Sequence, residues 1–313
     1  MQFLGAAETR QRLPFDALID ALRAMFERGC ELPPRQVLEL AGAGEQAVTS
    51  LVMPAWQPGG CYGVKVVNIA PGNAARGLPG LHSTYVLYDA TTGVPIAWVD
   101  GDEITARRTA ATSALAASWL AREDARHLAI LGAGRIARLL GEAHRACRPI
   151  ERVTVWARSE RNARLLVDEL GAQGFDAHAA ASVEAAVADA DIVSCATLAR
   201  APIVRGAWLR RGVHLDLIGS FTPAMRESDD DCFAGATVFV DSDDAAAKSG
   251  DLIGPIARGV LRSDAIGTLA ELARGRRRGR TDRNQRTVFK SVGSALEDLA
   301  AAILVHDTAT AAR

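Results

Sequence analysis

The sequence predicts an α/β fold of two domains, one of them a doubly wound parallel sheet, on three observations. From His127 onward, short apolar runs alternate with helical patterns, as in parallel strands covered by helices on both faces. A glycine-rich turn, Gly132-Ala-Gly134-Arg-Ile-Ala137, stands where the first of those runs ends and a helix opens. Ahead of this region, residues 36–99 are rich in strand-forming residues, and no helix-length periodicity interrupts them. At 313 residues the chain also passes the length at which one core usually divides.

The elements follow in order. Phe15, Leu18, Ile19, Leu22, Met25 and Phe26 recur at helical spacing behind Pro14, which suits a first turn, so a core-facing helix runs to about Gly29. Residues 62–69, 84–88 and 94–99 are strands, with Asp89 to Gly93 as a hairpin connection. An Ala-rich helix at 103–121 leads into the alternating region, whose strands fall near 127–131, 152–156, 191–195, 213–218 and 237–240. A last helix, 292–304, follows Thr287-Val-Phe-Lys-Ser291.

Composition narrows the functional classes. A chain that is 49% hydrophobic and 23% charged is an ordinary folded protein rather than a disordered one. Thirty-six Lys plus Arg against 37 Asp plus Glu leave a net charge of -1, so no global field draws it to nucleic acid or an anionic membrane. The basic run Arg274 to Arg280 lacks interleaved aromatics and is expected to be a solvated connecting loop. The uncharged stretch 46–64 is broken by Pro54, Pro58, Gly59 and Gly60 and cannot span a bilayer, and the N-terminal residues carry no secretory pattern. Five dispersed cysteines without a C-x-x-C pair imply reduced thiols and a cytoplasmic location. The histidines lack the spacing of metal ligands and no G-x-S-x-G elbow occurs, so no metal site and no hydrolase chemistry are expected.

The glycine turn carries the clearest chemistry. In its strand–turn–helix setting it matches G-x-G-x-x-A: Gly132 allows the tight turn, Gly134 lets a pyrophosphate approach the backbone, and Ala137 lets helix and strand pack closely. A dinucleotide fold normally places an acid ~20 residues on, for the adenosine 2′-hydroxyl. Here the strand ending at Trp156 is followed by Ala157, Arg158, Ser159, Glu160 and Arg161. Arg158, Ser159 and Arg161 suit a 2′-phosphate, which selects NADP(H) while leaving NAD(H) possible; the alternative is a pair of solvated turn arginines.

Two cations fall where apolar residues are expected. Arg108 shares a helix stripe with Ile104, Ala111 and Leu115, so it requires an anion: an internal acid such as Asp100 or Asp102, or a ligand carboxylate or phosphate. Arg107 lies on another face and needs no such partner. Lys65 stands among Val64, Val66, Val67 and Ile69, which makes both strand faces apolar and puts its ammonium under cover, either in a structural ion pair or at a ligand. Arg35 follows Pro33-Pro34, whose stiff backbone would aim it. Three cations ahead of a dinucleotide domain suggest a small anionic substrate.

The order of these motifs resembles the ornithine cyclodeaminase and mu-crystallin family over almost the whole chain. The matching segments are Leu32-Pro-Pro-Arg-Gln36, Leu51-Val-Met-Pro-Ala-Trp56, Gly63-Val-Lys-Val-Val-Asn68, Gly77-Leu-Pro79, residues 100–111, Leu131-Gly-Ala-Gly134 and Thr287-Val-Phe-Lys-Ser-Val-Gly293. The resemblance implies a Rossmann-type domain, 119–290, inserted into an α+β substrate-binding and dimerisation domain made of 1–118 together with 291–313, in a homodimer. It implies that Lys65 and Arg108 bind a substrate carboxylate, with Arg35 at a third substrate-facing position. It also implies that Thr84 lies beside the nicotinamide, that Gly132, Gly134, Arg135 and Ile136 form the phosphate turn, and that Thr109, Thr197 and Leu198 line the cofactor.

One position departs from the cyclodeaminase pattern. Cyclodeaminases of this family carry an essential Asp just after the glycine that ends a late strand, and in Gly219-Ser-Phe-Thr-Pro223 that position is Phe221. A phenyl ring cannot orient an amine or share its proton, so it would only shape an apolar substrate wall. Together with the missing adenosine-site acid, this places the resemblance closest to ketimine reductases of the 1-pyrroline-2-carboxylate reductase kind. The expected activity is NAD(P)H-dependent reduction of 1-pyrroline-2-carboxylate or 1-piperideine-2-carboxylate to proline or pipecolate. The alternatives are an ornithine cyclodeaminase releasing ammonia with retained NAD, and a nonenzymatic, mu-crystallin-like NADP-dependent binder.

Overall fold

The computed structural model describes residues 1–40 and 47–311, so residues 41–46 of the expected β-rich stretch lie outside the described residues. The chain divides into two compact units, Met1–Arg108 with Ser294–Arg313, and Thr109–Gly293.

The first unit opens with β1 (Gln2–Leu4), α1 (Ala6–Gln11) and α2 (Phe15–Arg28). Strands β2 (Gln36–Leu40), β3 (Val48–Trp56), β4 (Cys61–Ile69), β5 (Leu81–Asp89) and β6 (Pro95–Asp100) follow, and α3 (Gly101–Leu120) leaves the sheet. The sheet order is β1-β6-β5-β4-β3-β2, antiparallel except for the β1–β6 pair. Asp89 makes the β5–β6 turn: its Oδ1 accepts the N–H groups of Thr91 at 2.9 Å and Thr92 at 2.7 Å, and Gly93 takes the positive φ that closes it. A side chain at Gly101 would stand 2.7 Å from the backbone of Ser83 and Thr84, so α3 can start against β5 only because this residue has none. Asp100 caps that start by accepting the Glu103 N–H at 2.7 Å.

The second unit is a doubly wound α/β sheet. Its elements are β7 (His127–Leu131), α4 (Ala137–Arg145), β8 (Arg152–Trp156), α5 (Glu160–Ala172), β9 (Asp176–Ala179), α6 (Val183–Val187), β10 (Ile192–Cys195), β11 (His214–Leu217) and β12 (Thr237–Val240). Then come α7 (Ala245–Lys248), α8 (Gly250–Ala257), β13 (Gly267–Thr268), α9 (Leu269–Ala273) and β14 (Thr287–Lys290). Every strand pair is parallel, in the order β13-β12-β14-β11-β10-β7-β8-β9. β7, β10 and β11 are buried along their whole length, as strands covered on both faces must be.

The chain then returns to the first unit as α10 (Ala295–Ala311), which packs on α2 and against β3, β4 and β5. It begins later than the expected 292, because Gly293 takes a positive φ and Ser294 precedes the first turn. The division between units falls inside α3, at Arg108 and Thr109 rather than at 118, since one continuous helix offers no loop to mark it.

The basic run is a solvated loop only in part. Arg274, Arg276 and Arg278 are exposed, but the Arg280 guanidinium is half-buried and donates to the carbonyls of Leu120 at 2.8 Å and Val213 at 3.3 Å and to Thr287 Oγ1 at 3.1 Å. Arg148 donates to the Ser118 and Ala121 carbonyls at 2.6 and 3.2 Å, so two arginines satisfy the terminal carbonyls of α3. Among the described residues no helix is long and apolar enough to cross a membrane.

Candidate functional site

In the first unit, Lys65 lies midway along β4 on the face it shares with Gly63 and Val67, and it is 1% exposed. Its Nζ stands 2.6 Å from Asp298 Oδ2 and donates to Thr105 Oγ1 at 3.3 Å. Arg108, 6% exposed, donates from Nε to Asp298 Oδ1 at 2.9 Å and from Nη1 to Glu297 Oε2 at 2.6 Å. Asp298 therefore joins the two cations. Burial pushes the Lys65 ammonium down to about 8, against the pull of Asp298, which favours the charged form. Burial works against ionisation of Asp298 as well, but Lys65 and Arg108 outweigh it and hold the carboxyl below its ordinary range.

The expected internal partners of Arg108 are not the ones found. Asp100 is occupied in capping α3, and Asp102 Oδ1 accepts the Ser83 hydroxyl at 2.7 Å. Arg107 also departs from expectation: it is buried, donates from Nε to the Leu13 carbonyl at 2.7 Å, and lies over the Phe15 ring at 4.2 Å. That contact gives the guanidinium a carbonyl and an aromatic face in place of water. Arg35 is half-buried just ahead of β2. Thr84 is exposed and pairs with Val66, so strand alternation turns it to the sheet face opposite Lys65.

In the second unit, the glycine turn follows β7, where the strand order reverses between β8 on one side and β10 on the other. Such a switch point is where open parallel sheets bind ligands. Gly132 has φ +120, and a side chain there would stand 2.5 Å from the Ala196 carbonyl oxygen at the end of β10. Its N–H donates to the Trp156 carbonyl at 2.8 Å, tying the turn to the end of β8. Gly134 has no atom within 4 Å of where a side chain would begin, and Ile136, which precedes α4, gives the helix no side-chain cap. Open space over Gly134 and an uncapped helix N-terminus are what a dinucleotide pyrophosphate requires, so these residues fit the cofactor. Arg135 belongs to the same turn and is exposed.

After β8, Arg158, Ser159 and Arg161 are all exposed. Ser159 Oγ accepts the Asn162 N–H at 3.3 Å and caps α5, which leaves its hydroxyl proton to donate. After β10, the Thr197 N–H and hydroxyl both donate to Glu227 Oε1 at 2.8 Å, and Leu198 is 76% exposed. After β11, the Gly219 N–H donates to Glu227 Oε2 at 2.7 Å, and Phe221 is 47% exposed. Thr109 is half-buried on α3.

The structure thus brings Lys65 and Arg108 together through an acid, and gathers the glycine turn, Thr197 and Leu198 at adjoining strand ends. Three acids in these arrangements escape the sequence reading. Glu297 and Asp298 are adjacent carboxylates between Leu296 and the apolar run 299–305, a signal as strong as that of Arg108. Glu227 lies in an irregular segment with no periodicity to mark it as buried.

A family model described as the ornithine cyclodeaminase/mu-crystallin family matches residues 3–313. A delta(1)-pyrroline-2-carboxylate reductase of Paracoccus denitrificans is 42% identical over 301 residues, covering 95% of this chain and 94% of the relative. The structure of a Thermococcus litoralis delta(1)-pyrroline-2-carboxylate reductase in complex with NADH and L-proline superposes with a TM-score of 0.92 at 32% identity, covering 99% of this chain and 98% of that one. An archaeal alanine dehydrogenase dimer with bound NAD gives a TM-score of 0.90 at 28% identity, covering 99% and 96%. Match and architecture agree over the full length of the fold, and the chain belongs to the ornithine cyclodeaminase/mu-crystallin family.

Proposed function

We propose that this protein is an NAD(P)H-dependent reductase of cyclic α-imino acids, converting 1-pyrroline-2-carboxylate or its six-membered homologue to proline or pipecolate. The observation that carries the choice of reduction is the segment Gly219 to Met225, which holds no acid and presents Phe221 to solvent in the chain by itself. The 42% identity to a reductase of this class supports the same choice.

When bound, the reduced nicotinamide supplies the hydride. Lys65 and Arg108 hold the substrate carboxylate, and Asp298 and Glu297 hold the two cations charged and oriented. Two cations against two carboxylates make a neutral set, so a substrate anion adds uncompensated charge unless a further cation joins it. Arg35 is the residue assigned that role. A cyclic iminium is already electrophilic, so fixing its orientation is the main task left to the protein. Phe221 is assigned to the apolar wall at the reacting ring.

Gly132, Gly134, Arg135 and Ile136 cradle the pyrophosphate, with Thr109, Thr197 and Leu198 along the cofactor. Arg158, Ser159 and Arg161, with no carboxylate in the run from Val153 to Ser159, favour NADP(H) over NAD(H). A homodimer is supported by the dimeric alanine dehydrogenase and by the exposed edge strand β2, which carries Val37, Leu38 and Leu40. Five free thiols suit a cytoplasmic location.

The test is a cofactor-oxidation assay with both cyclic imines and both reduced cofactors. Turnover of either imine with NADPH ahead of NADH is expected; ammonia and proline formed from L-ornithine faster than any imine is reduced would overturn the reading.

A further inference from the structure

Glu227 is fully buried, and its carboxylate spans two loops that follow neighbouring strands. Oε1 takes both donors of Thr197 after β10, and Oε2 takes the Gly219 N–H after β11. The loops approach so closely that a side chain at Gly219 would overlap the Thr197 carbonyl oxygen and stand 2.5 Å from Glu227 Oε1. The Glu227 backbone is anchored in turn: its N–H donates to Asp251 Oδ1 at 2.9 Å, and its carbonyl accepts from Ile203 and Val204 at 2.8 and 3.0 Å. Each bridged loop carries one large exposed apolar side chain close to the bridge, Leu198 next to Thr197 and Phe221 two residues beyond Gly219.

We infer that Glu227 is a positioning residue for cofactor binding, a single carboxylate that fixes the β10 and β11 loops against each other and so sets where Leu198 and Phe221 stand. The inference rests on the reading above, in which those loops line the cofactor and the reacting ring. It adds a residue that touches neither. Three N–H or O–H donors converge on two oxygens, and only a carboxylate accepts all of them. A carboxamide, or a protonated carboxyl, turns a hydrogen toward one of the donors and releases one loop.

The charges around Glu227 make this state sensitive to pH. Burial pushes its carboxyl up to about 7; Lys290 on β14 opposes that rise, Asp251 on α8 adds to it, and the donors of Thr197 oppose it. Cys195 on β10 also feels the Glu227 charge, and burial keeps that thiol protonated. The bridge is therefore complete above neutrality and opens as pH falls through about 7.

The test compares the native protein with E227Q, which is isosteric. Dissociation constants for NADPH and NADH, measured by fluorescence between pH 5.5 and 8.5, are read beside amide hydrogen exchange at Thr197 and Gly219. Native protein should bind the cofactor more weakly as pH falls through the Glu227 transition. In E227Q affinity should be about tenfold lower at high pH and flat with pH, with faster exchange at one or both amides and unchanged exchange in β7. Native-like protection and a native-like pH profile in E227Q would overturn the inference, as would lost protection with unchanged cofactor affinity. Failure of the native protein to bind either cofactor would instead overturn the functional reading, and this inference with it.

Discussion

Arg108 and Asp298 are 190 residues apart in the chain, and the Arg108 Nε lies 2.9 Å from the Asp298 carboxylate. Because Asp298 also stands 2.6 Å from Lys65, removing its charge leaves two buried cations with one acid between them. Asp298→Asn should destabilise the fold by about 3–5 kcal/mol, the usual cost of breaking a buried pair on one side. Chemical denaturation measures this directly, and a loss below ~1 kcal/mol would show that the cations find other partners.

Arg108→Lys keeps the charge and removes the planar fork that reaches Glu297 and Asp298 together. The variant should fold, raise the KM for the imine acid and leave the dissociation constant for reduced cofactor nearly unchanged. A fall in cofactor affinity with an unchanged imine KM would assign Arg108 to the cofactor phosphates.

The pH dependence of imine reduction should show Lys65. Folding lowers its pKa from 10.5 to about 8, so the ammonium is lost as pH rises through about 8 and kcat/KM for the imine acid should fall there. Between those values the unfolded chain binds the extra proton, so the contribution of this group to stability rises with pH while activity declines. Lys65→Arg should move the alkaline limb out of the measurable range; a limb that stays in place belongs to another group.

Arg158→Ala should weaken NADPH by about 1.5–3 kcal/mol, the worth of a charge-assisted hydrogen bond, and NADH much less. Equal losses with the two cofactors would remove the argument for a 2′-phosphate contact.

Sedimentation at micromolar concentration should give a species near twice the 33.1 kDa chain mass. A stable and fully active monomer would refute the proposed homodimer.

Legibility in the sequence followed the range of each interaction. Strands such as β7 and β8 repeat an apolar signal locally, and the turn at Gly132 announces itself by its neighbours, so both are read without knowing the fold. The edge strands β1 and β13 are three and two residues long, too short to carry a period. For Lys65 and Arg108 the apolar neighbours alone demand an anion, and Asp100 and Asp102 are acids close to Arg108 in the chain. Asp298 lies on a helix reached only after the whole second unit, and Glu227 bridges strand ends that only the folded sheet makes neighbours. Arg280 departs in the opposite sense: inside a basic run, its guanidinium donates to the Leu120 carbonyl that ends α3, to the Val213 carbonyl just ahead of β11 and to Thr287 on β14.

The return of α10 to the first unit has a consequence for synthesis. A ribosome produces β4 and α3, with Lys65 and Arg108, long before it reaches Glu297 and Asp298, and all of Thr109–Gly293 is made in between. Domains generally fold as units while the chain emerges. The second unit can therefore close around its own sheet first, while the earlier-made half waits with two unneutralised cations and the surface of α2 that α10 will cover. The first part of the chain to be made is thus completed only by the last helix to be made.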